Sequence, residues 1–217
     1  MNDQVYYVCK YTPVELLKAF GAECVHLNAM PKNFEFAEQL AHPNLCGFGK
    51  ALLEAVMSGS VRRLVLVNCC DTIRSVYDVL QDSGKLDFLY LVDMLHSDTL
   101  CSRERTAVQL KGLAKAYGEF CHTEFDAEKF RNAFAAPERV RGPHLAVLGA
   151  RMGTELFEMV QTTMPLPVEN ASCVNHRSVG EVQPPAEADF DVLMEWYAGE
   201  LLRQVPCMRM MDYSGRK

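Results

Sequence analysis

The chain has 217 residues, 49% of them hydrophobic, enough to bury a core as one large domain or two small ones. A formal net charge of -6, with no basic run and no stacking-aromatic pattern, argues against a nucleic-acid surface, and an anionic substrate would need local positive charge. No apolar run approaches a membrane span and Met1-Asn2-Asp3-Gln4 lacks the features of a signal peptide, so a cytoplasmic protein without a membrane partner is expected.

In chain order, residues 5–8 read as a short strand with Cys9 at its end. Thr12-Pro13-Val14-Glu15 then opens a helix, with Thr12 as N-cap, Pro13 in the first turn and Glu15 placed for a capping box. Leu16, Leu17 and Phe20 form its apolar face and Gly21 ends it. Residues 23–27 form the next strand, in which Cys24 and His26 read as ordinary strand residues; 28–43 is loop with a short helix. Asn44-Leu45-Cys46 precedes a helix whose stripe is Leu52, Leu53 and Val56, closed by Gly59.

Leu64-Val65-Leu66-Val67 is an apolar, β-branched run of the kind found in a parallel strand covered on both faces. It stops at Asn68-Cys69-Cys70-Asp71, where Asp71 is the expected cap of a helix carrying Ile73, Val76, Tyr77 and Leu80 and ending at Ser83-Gly84. In an open α/β sheet, ligands bind at the carboxyl ends of strands, and a thiol at a helix N-terminus is biased toward the thiolate that metals need. Cys46 and Cys70 occupy two successive positions of that kind. Free cysteine is also among the most buried residue types, so Cys69-Cys70 taken alone reads more readily as core than as a cofactor site. The nine cysteines are odd in number and include no Cys-x-x-Cys pair, which favours reduced thiols over a disulfide framework or a zinc ribbon.

Residues 87–94 read as a further strand, and 101–117 as a long helix with Ala107, Leu110, Leu113, Ala114 and Tyr117 inward and Cys101 at its start. A helix over 126–136 is capped by Asp126, carries Phe130 and Phe134, and is broken by Pro137. The polar stretch up to Pro143 is the best boundary in the chain. Beyond it come a strand at 144–148, a glycine-bearing turn at 149–154 able to cradle a phosphate, a helix at 155–163, a strand at 166–169 and the polar loop 173–177. Phe190, Leu193, Trp196, Tyr197 and Leu201 share one face of a last helix. The fold class is therefore α/β: a Rossmann-like parallel-sheet lobe over 1–137, followed by a second, incomplete Rossmann-like lobe over 143–217 with only two strands. Either a partner chain supplies the missing strands or the protein is a shortened version of a longer one.

Three segments of the first lobe together resemble the 2-hydroxyacyl-CoA dehydratase and benzoyl-CoA reductase superfamily. They are Tyr11-Thr12-Pro13-Val14-Glu15-Leu16-Leu17 with Ala19 and Gly21, Asn44-Leu45-Cys46 with Lys50, and Cys70-Asp71 with Arg74 and Tyr77-Asp78. In the second lobe, the strand at 145–149, Cys173 with Arg177, and Pro206-Cys207-Met208-Arg209-Met210 with Arg216 agree with it. The resemblance implies two Rossmann-like lobes, pairing of homologous subunits as a homo- or heterodimer, and oxygen-sensitive, anaerobic chemistry. It further implies an iron–sulfur cluster, of the 4Fe-4S kind, held between the lobes by three cysteines, with one iron open to the acyl-CoA substrate. A separate ATP-dependent activator delivers one low-potential electron, and the resulting ketyl radical expels the hydroxyl group, which makes such a subunit part of a hydro-lyase.

Carried onto this chain, the resemblance places two metal ligands at Cys46 and Cys70; with those two thiolates alone, a cluster would need Cys9 or Cys69, the weaker candidates, or Cys101, water or a partner's residue. The third family ligand belongs in the later part of the second lobe, beyond Lys217, and Cys207 matches a different family segment. Arg74 and Lys50 are candidates for positive charge nearby. The alternatives are an ATP-coupled reductase subunit for benzoyl-CoA or another small molecule, or a non-catalytic assembly or cluster-carrier protein.

Overall fold

The structure, a computed structural model, describes residues 4–28, 31–95, 97–135, 140–149, 151–173, 177, 179–204 and 207. Pro137, Ala150, Val174-Asn175-His176, Pro206, Met208-Arg209-Met210 and Arg216, each of which carried a sequence expectation, lie outside the described residues.

Four parallel strands form the main sheet: β1 (Gln4–Tyr7), β2 (Glu23–His26), β3 (Arg63–Val67) and β4 (Phe88–Val92), in the spatial order β2-β1-β3-β4. The register sets Tyr6 of β1 beside Val25 of β2 and Leu64 of β3, and Leu66 of β3 beside Leu91 of β4. Leu64, Val65, Leu66 and Val67 are all buried, as a central strand covered on both faces requires. Val65 and Val67 point into one core, with α1 (Val14–Ala19), α5 (Leu100–Cys121), α6 (Ala127–Asn132) and α8 (Phe190–Arg203); Leu64 and Leu66 point into the other, with α2 (Glu35–Leu40), α3 (Gly47–Met57) and α4 (Asp71–Gln81). Helices thus lie on both faces, giving the doubly wound arrangement.

Most helix ends follow their sequence signals, but α6, expected to run to 136, stops at Asn132. Asp126 accepts from the backbone N–H groups of Glu128 and Lys129, and Thr99 from that of Ser102, as N-caps do. Gly21, Gly59 and Gly84 follow α1, α3 and α4 with φ of 87°, 82° and 63°, a region that favours glycine. The capping box at Thr12 does not form. Thr12 makes no side-chain cap, and Glu15 turns instead to Arg177 and Tyr197. Nor is Asp71 the cap of α4: Cys70 holds the N-cap position in extended conformation and Asp71 is the first helical residue, its carboxylate next to the positive helix end.

A second, two-stranded parallel sheet pairs β5 (Leu145–Val147) with β6 (Val168–Asn170), connected by α7 (Thr154–Thr163). None of the residues of α7 is buried, and Leu148, Leu156 and Met159 are exposed, as expected of a lobe whose second layer is incomplete. The last helix does not cover this small sheet. α8 packs along α5, sealing Leu193, Met194, Tyr197 and Leu201 into the first core, and Lys111 reaches Asp191 at 2.7 Å. Among the described residues no helix is long and apolar enough to cross a membrane.

Candidate functional site

The chain moves outward from β1 to β2 on one side and from β3 to β4 on the other, so the direction of winding reverses between β1 and β3. A crevice opens outside the carboxyl ends of the strands at such a switch point. The residues that leave those two strands are Val8-Cys9-Lys10 and Asn68-Cys69-Cys70, which concentrates three thiols there.

Local bonding fixes that loop pair. Asn68 receives the backbone N–H of Met94 on its Oδ1 at 2.9 Å and donates Nδ2 to Asp93, tying the end of β3 to the end of β4. The Cys69 N–H turns back onto the Val67 carbonyl at 2.6 Å, a tight turn that swings Cys70 to the head of α4. Cys69 lies between Cys9 and Cys70 and is hydrogen-bonded to both, which pushes its thiol far above the ordinary range. Cys9, as acceptor from Cys69, is held below the ordinary thiol range against the opposing effect of its burial; the Tyr11 backbone and the charges of Arg177 and Lys10 add to the lowering.

Cys46 stands at the other helix start. It is the N-cap of α3 in extended conformation, as Cys70 is of α4, and it is exposed while Cys70 is half-buried. The first turns of the two helices touch: a methyl group at Gly49 would come within 2.4 Å of Thr72 Cγ2. Gly49 is thus the residue that lets the head of α3 lie against the head of α4, with both thiol-bearing caps on the same edge of the sheet. Both helices have 11 residues, and each directs the unpaired N–H groups of its first turn toward that edge. Arg74, a candidate source of positive charge, meets Asp93 at 3.5 Å in a largely exposed pair.

The second lobe faces this edge. The Lys10 backbone N–H donates to the Cys173 carbonyl at 3.2 Å, and its Nζ, buried, donates to the Ala171 carbonyl at 3.2 Å, so the loop after β1 is stitched to the loop after β6. Burial pulls Lys10 below the ordinary lysine range, partly offset by Cys207, Cys9 and Cys173 around it. Cys173 is pushed up to about 12 by burial and by its thiol neighbours Cys9 and Cys207, so it remains a thiol. Cys207 is buried beside Tyr11. Arg151, after β5, stacks on Phe48 of α3 at 4.1 Å and donates to Asn28 at the end of β2. Arg177 closes the arrangement from below, donating to the carbonyls of Lys10 and Thr12 and to Glu15 Oε2 at 2.6 Å.

Of the expected site residues, Cys9 and Cys69 meet directly, Cys70 joins them through Cys69, and Cys46 comes to the same edge on the neighbouring helix. Among the described residues no group of three His, Cys, Asp or Glu side chains is placed to hold a metal ion. Two thiols at contacting helix starts suit a cluster in donor type, and the described residues do not complete its ligand set. Sequence reasoning passed over Lys10 and Arg151. Lys10 directly follows Cys9 at a strand end, but lysine is ordinarily a solvated residue; Arg151 lies inside the glycine-bearing turn, where attention went to the turn's shape.

These features define a doubly wound α/β protein with a group of thiols at the carboxyl ends of its central strands, facing a smaller second lobe. The sequence model of the 2-hydroxyglutaryl-CoA dehydratase D-component family matches residues 9–142, the stretch that contains Cys9, Cys46, Cys69 and Cys70. The chain belongs to that family. Comparison with curated proteins finds no match.

Proposed function

We propose that the chain is a component of a 2-hydroxyacyl-CoA dehydratase-type enzyme in which Cys46 and Cys70 hold an iron–sulfur cluster, of the 4Fe-4S kind, at the crevice between the lobes. The observation that carries this reading is the contact of the two thiol-capped helix starts at Gly49 and Thr72, inside the segment that matches the family. Thiolates are the ligands such clusters take, and two helix N-termini supply positive potential for an anionic centre. When bound, the cluster supplies one-electron chemistry. The chain's own contribution is positional: Asn68 and the Cys69 turn fix the Cys70 cap, Gly49 brings Cys46 to it, and Lys10 holds the second lobe over the site.

The partners that follow are a homologous subunit, an ATP-dependent activator as electron donor, and an acyl-CoA substrate. A reductase of the same superfamily, acting on benzoyl-CoA or another small molecule, uses the same ligands. A second reading, a non-catalytic component without its own cluster, is favoured by one observation: three donors are not grouped among the described residues.

The test is dehydration of a 2-hydroxyacyl-CoA by the oxygen-free complex of this chain with its partner subunit, activator, ATP and a low-potential reductant. Turnover in wild type that is lost in folded Cys46→Ala and Cys70→Ala proteins supports the proposal. Equal turnover in all three contradicts it and leaves the non-catalytic reading; reduction without dehydration selects the reductase.

A further inference from the structure

Arg151 differs from the other arginines whose ion pairs are seen. Arg62, Arg74, Arg103, Arg177 and Arg203 meet Asp87, Asp93, Asp98, Glu15 and Glu200 respectively. Arg151 meets no carboxylate among the described residues. Its Nη2 donates to Asn28 Oδ1, its plane lies on the Phe48 ring, and its Nη1 is buried without a hydrogen-bond partner. A half-buried cation held on two sides and left unpaired on the third is arranged to receive something.

The surroundings specify what. Asn28 is itself pinned, donating Nδ2 to Thr154 Oγ1 at 3.1 Å, so the guanidinium is tied to the first residue of α7. The N-cap of α7 is Gly153, which has no side chain to satisfy the first-turn N–H groups. Phe48 belongs to the first turn of α3, next to Cys46. The positive end of a ten-residue helix and a guanidinium with one nitrogen left without a partner thus lie together where Asn28 and Phe48 of the first lobe meet Arg151 and Thr154 of the second, in a chain whose net charge is -6. A guanidinium fork pairs best with two coplanar oxygens.

We propose that Arg151, positioned by Asn28 and Phe48, is the binding residue for an oxyanion, a carboxylate or phosphate group, entering between the two lobes. The site is formed whether or not the cysteines carry a cluster, so the inference does not rest on the metal reading.

The experiment is a thermal-melt titration of the oxygen-free protein at constant ionic strength with two probes, inorganic pyrophosphate and glutarate, on wild type, Arg151→Met, Arg151→Lys and Cys46→Ala. The expected result is a saturable rise of about 5 °C near saturation with at least one probe, in wild type and Cys46→Ala alike. The rise disappears in Arg151→Met and survives, weakened, in Arg151→Lys; the more effective probe identifies the anion class. Should Arg151→Met fail to fold, the His26 titration of wild type gives the same answer. Burial first, and the Arg151 charge second, hold His26 below its ordinary value, so an anion bound at Arg151 should raise that midpoint. No melting response to either probe, an equal response in Arg151→Met, or an unmoved His26 would overturn the proposal.

Discussion

Replacing Glu15 with alanine strips Arg177 of its carboxylate. Glu15 Oε2 accepts from Arg177 Nη2 at 2.6 Å and from the Tyr197 hydroxyl at 2.5 Å, and the two charged side chains are only 9% and 18% exposed. At that burial the pair is far from the exposed regime, in which an ion pair contributes about 0–1 kcal/mol. Leaving one partner of a buried pair behind costs about 3–5 kcal/mol, with the unsatisfied Tyr197 hydroxyl included in that range rather than added to it. A loss of that size lowers the melting temperature by roughly 6–20 °C. Equilibrium urea unfolding under reducing, oxygen-free conditions measures it. Glu15→Ala/Arg177→Met removes the stranded charge and recovers part of the loss, though not all, because Arg177 also serves the Lys10 and Thr12 carbonyls. A Glu15→Ala penalty under about 1 kcal/mol, or a double variant less stable than the sum of its parts, would refute the assignment of this pair as the buried tie between α1, α8 and the second lobe.

Gly49→Ala drives a methyl group into Thr72 and should cost about 1–3 kcal/mol in urea unfolding; Thr72→Ser, which deletes the methyl it strikes, should restore most of that, and no rescue would mean the helix starts are not in contact. His26 is held below its ordinary 6.5, first by burial and then by the Arg151 charge, and its Nε2 is buried without a partner. Its contribution to stability is therefore complete above about pH 6.5 and is lost as pH falls through the lower native value, because the unfolded chain binds the proton first. Urea midpoints compared at about pH 7 and about pH 5 should fall less in His26→Asn than in wild type, and parallel curves would contradict this. In metal-free, reduced protein, peptide mapping after brief alkylation should find Cys46 and Cys101 labelled first and Cys9 protected, since burial denies the reagent access to its sulfur. Rapid labelling of Cys9 would show that the crevice opens in solution.

The first sheet was readable because its strands and helices carry opposite periodicities. The Leu64 to Val67 run, the stripes of α3 and α5 and the glycines after α1, α3 and α4 each have a local cause, and the structure places them within a few residues of expectation. What failed was decided by distant contacts or by a tight turn that periodicity does not mark. Glu15 has the spacing of a capping box, yet a buried guanidinium 162 positions away claims it. The cap of α4 fell on Cys70 rather than Asp71, one residue from expectation, because the Cys69 turn sets where the helix begins. The apolar face of α8 was legible, but no feature of that face distinguishes packing on α5 from packing on the small sheet. At the site, helix-start logic selected Cys46 and Cys70 and the strand-end argument selected Cys9 and Cys69. Lys10 and Arg151 escaped because their meaning lies in what surrounds them, thiols for one and the absence of a carboxylate among the described residues for the other.

The central claim is that Cys46 and Cys70 hold an iron–sulfur cluster. Iron and acid-labile sulfide, counted on protein purified without oxygen together with its absorption spectrum, test it most directly in wild type, Cys46→Ala and Cys70→Ala. Wild type should carry stoichiometric iron and sulfide, and both variants should lose them while remaining folded. A colourless, metal-free wild type that folds as well as both variants, or a cluster undiminished in either, would contradict it.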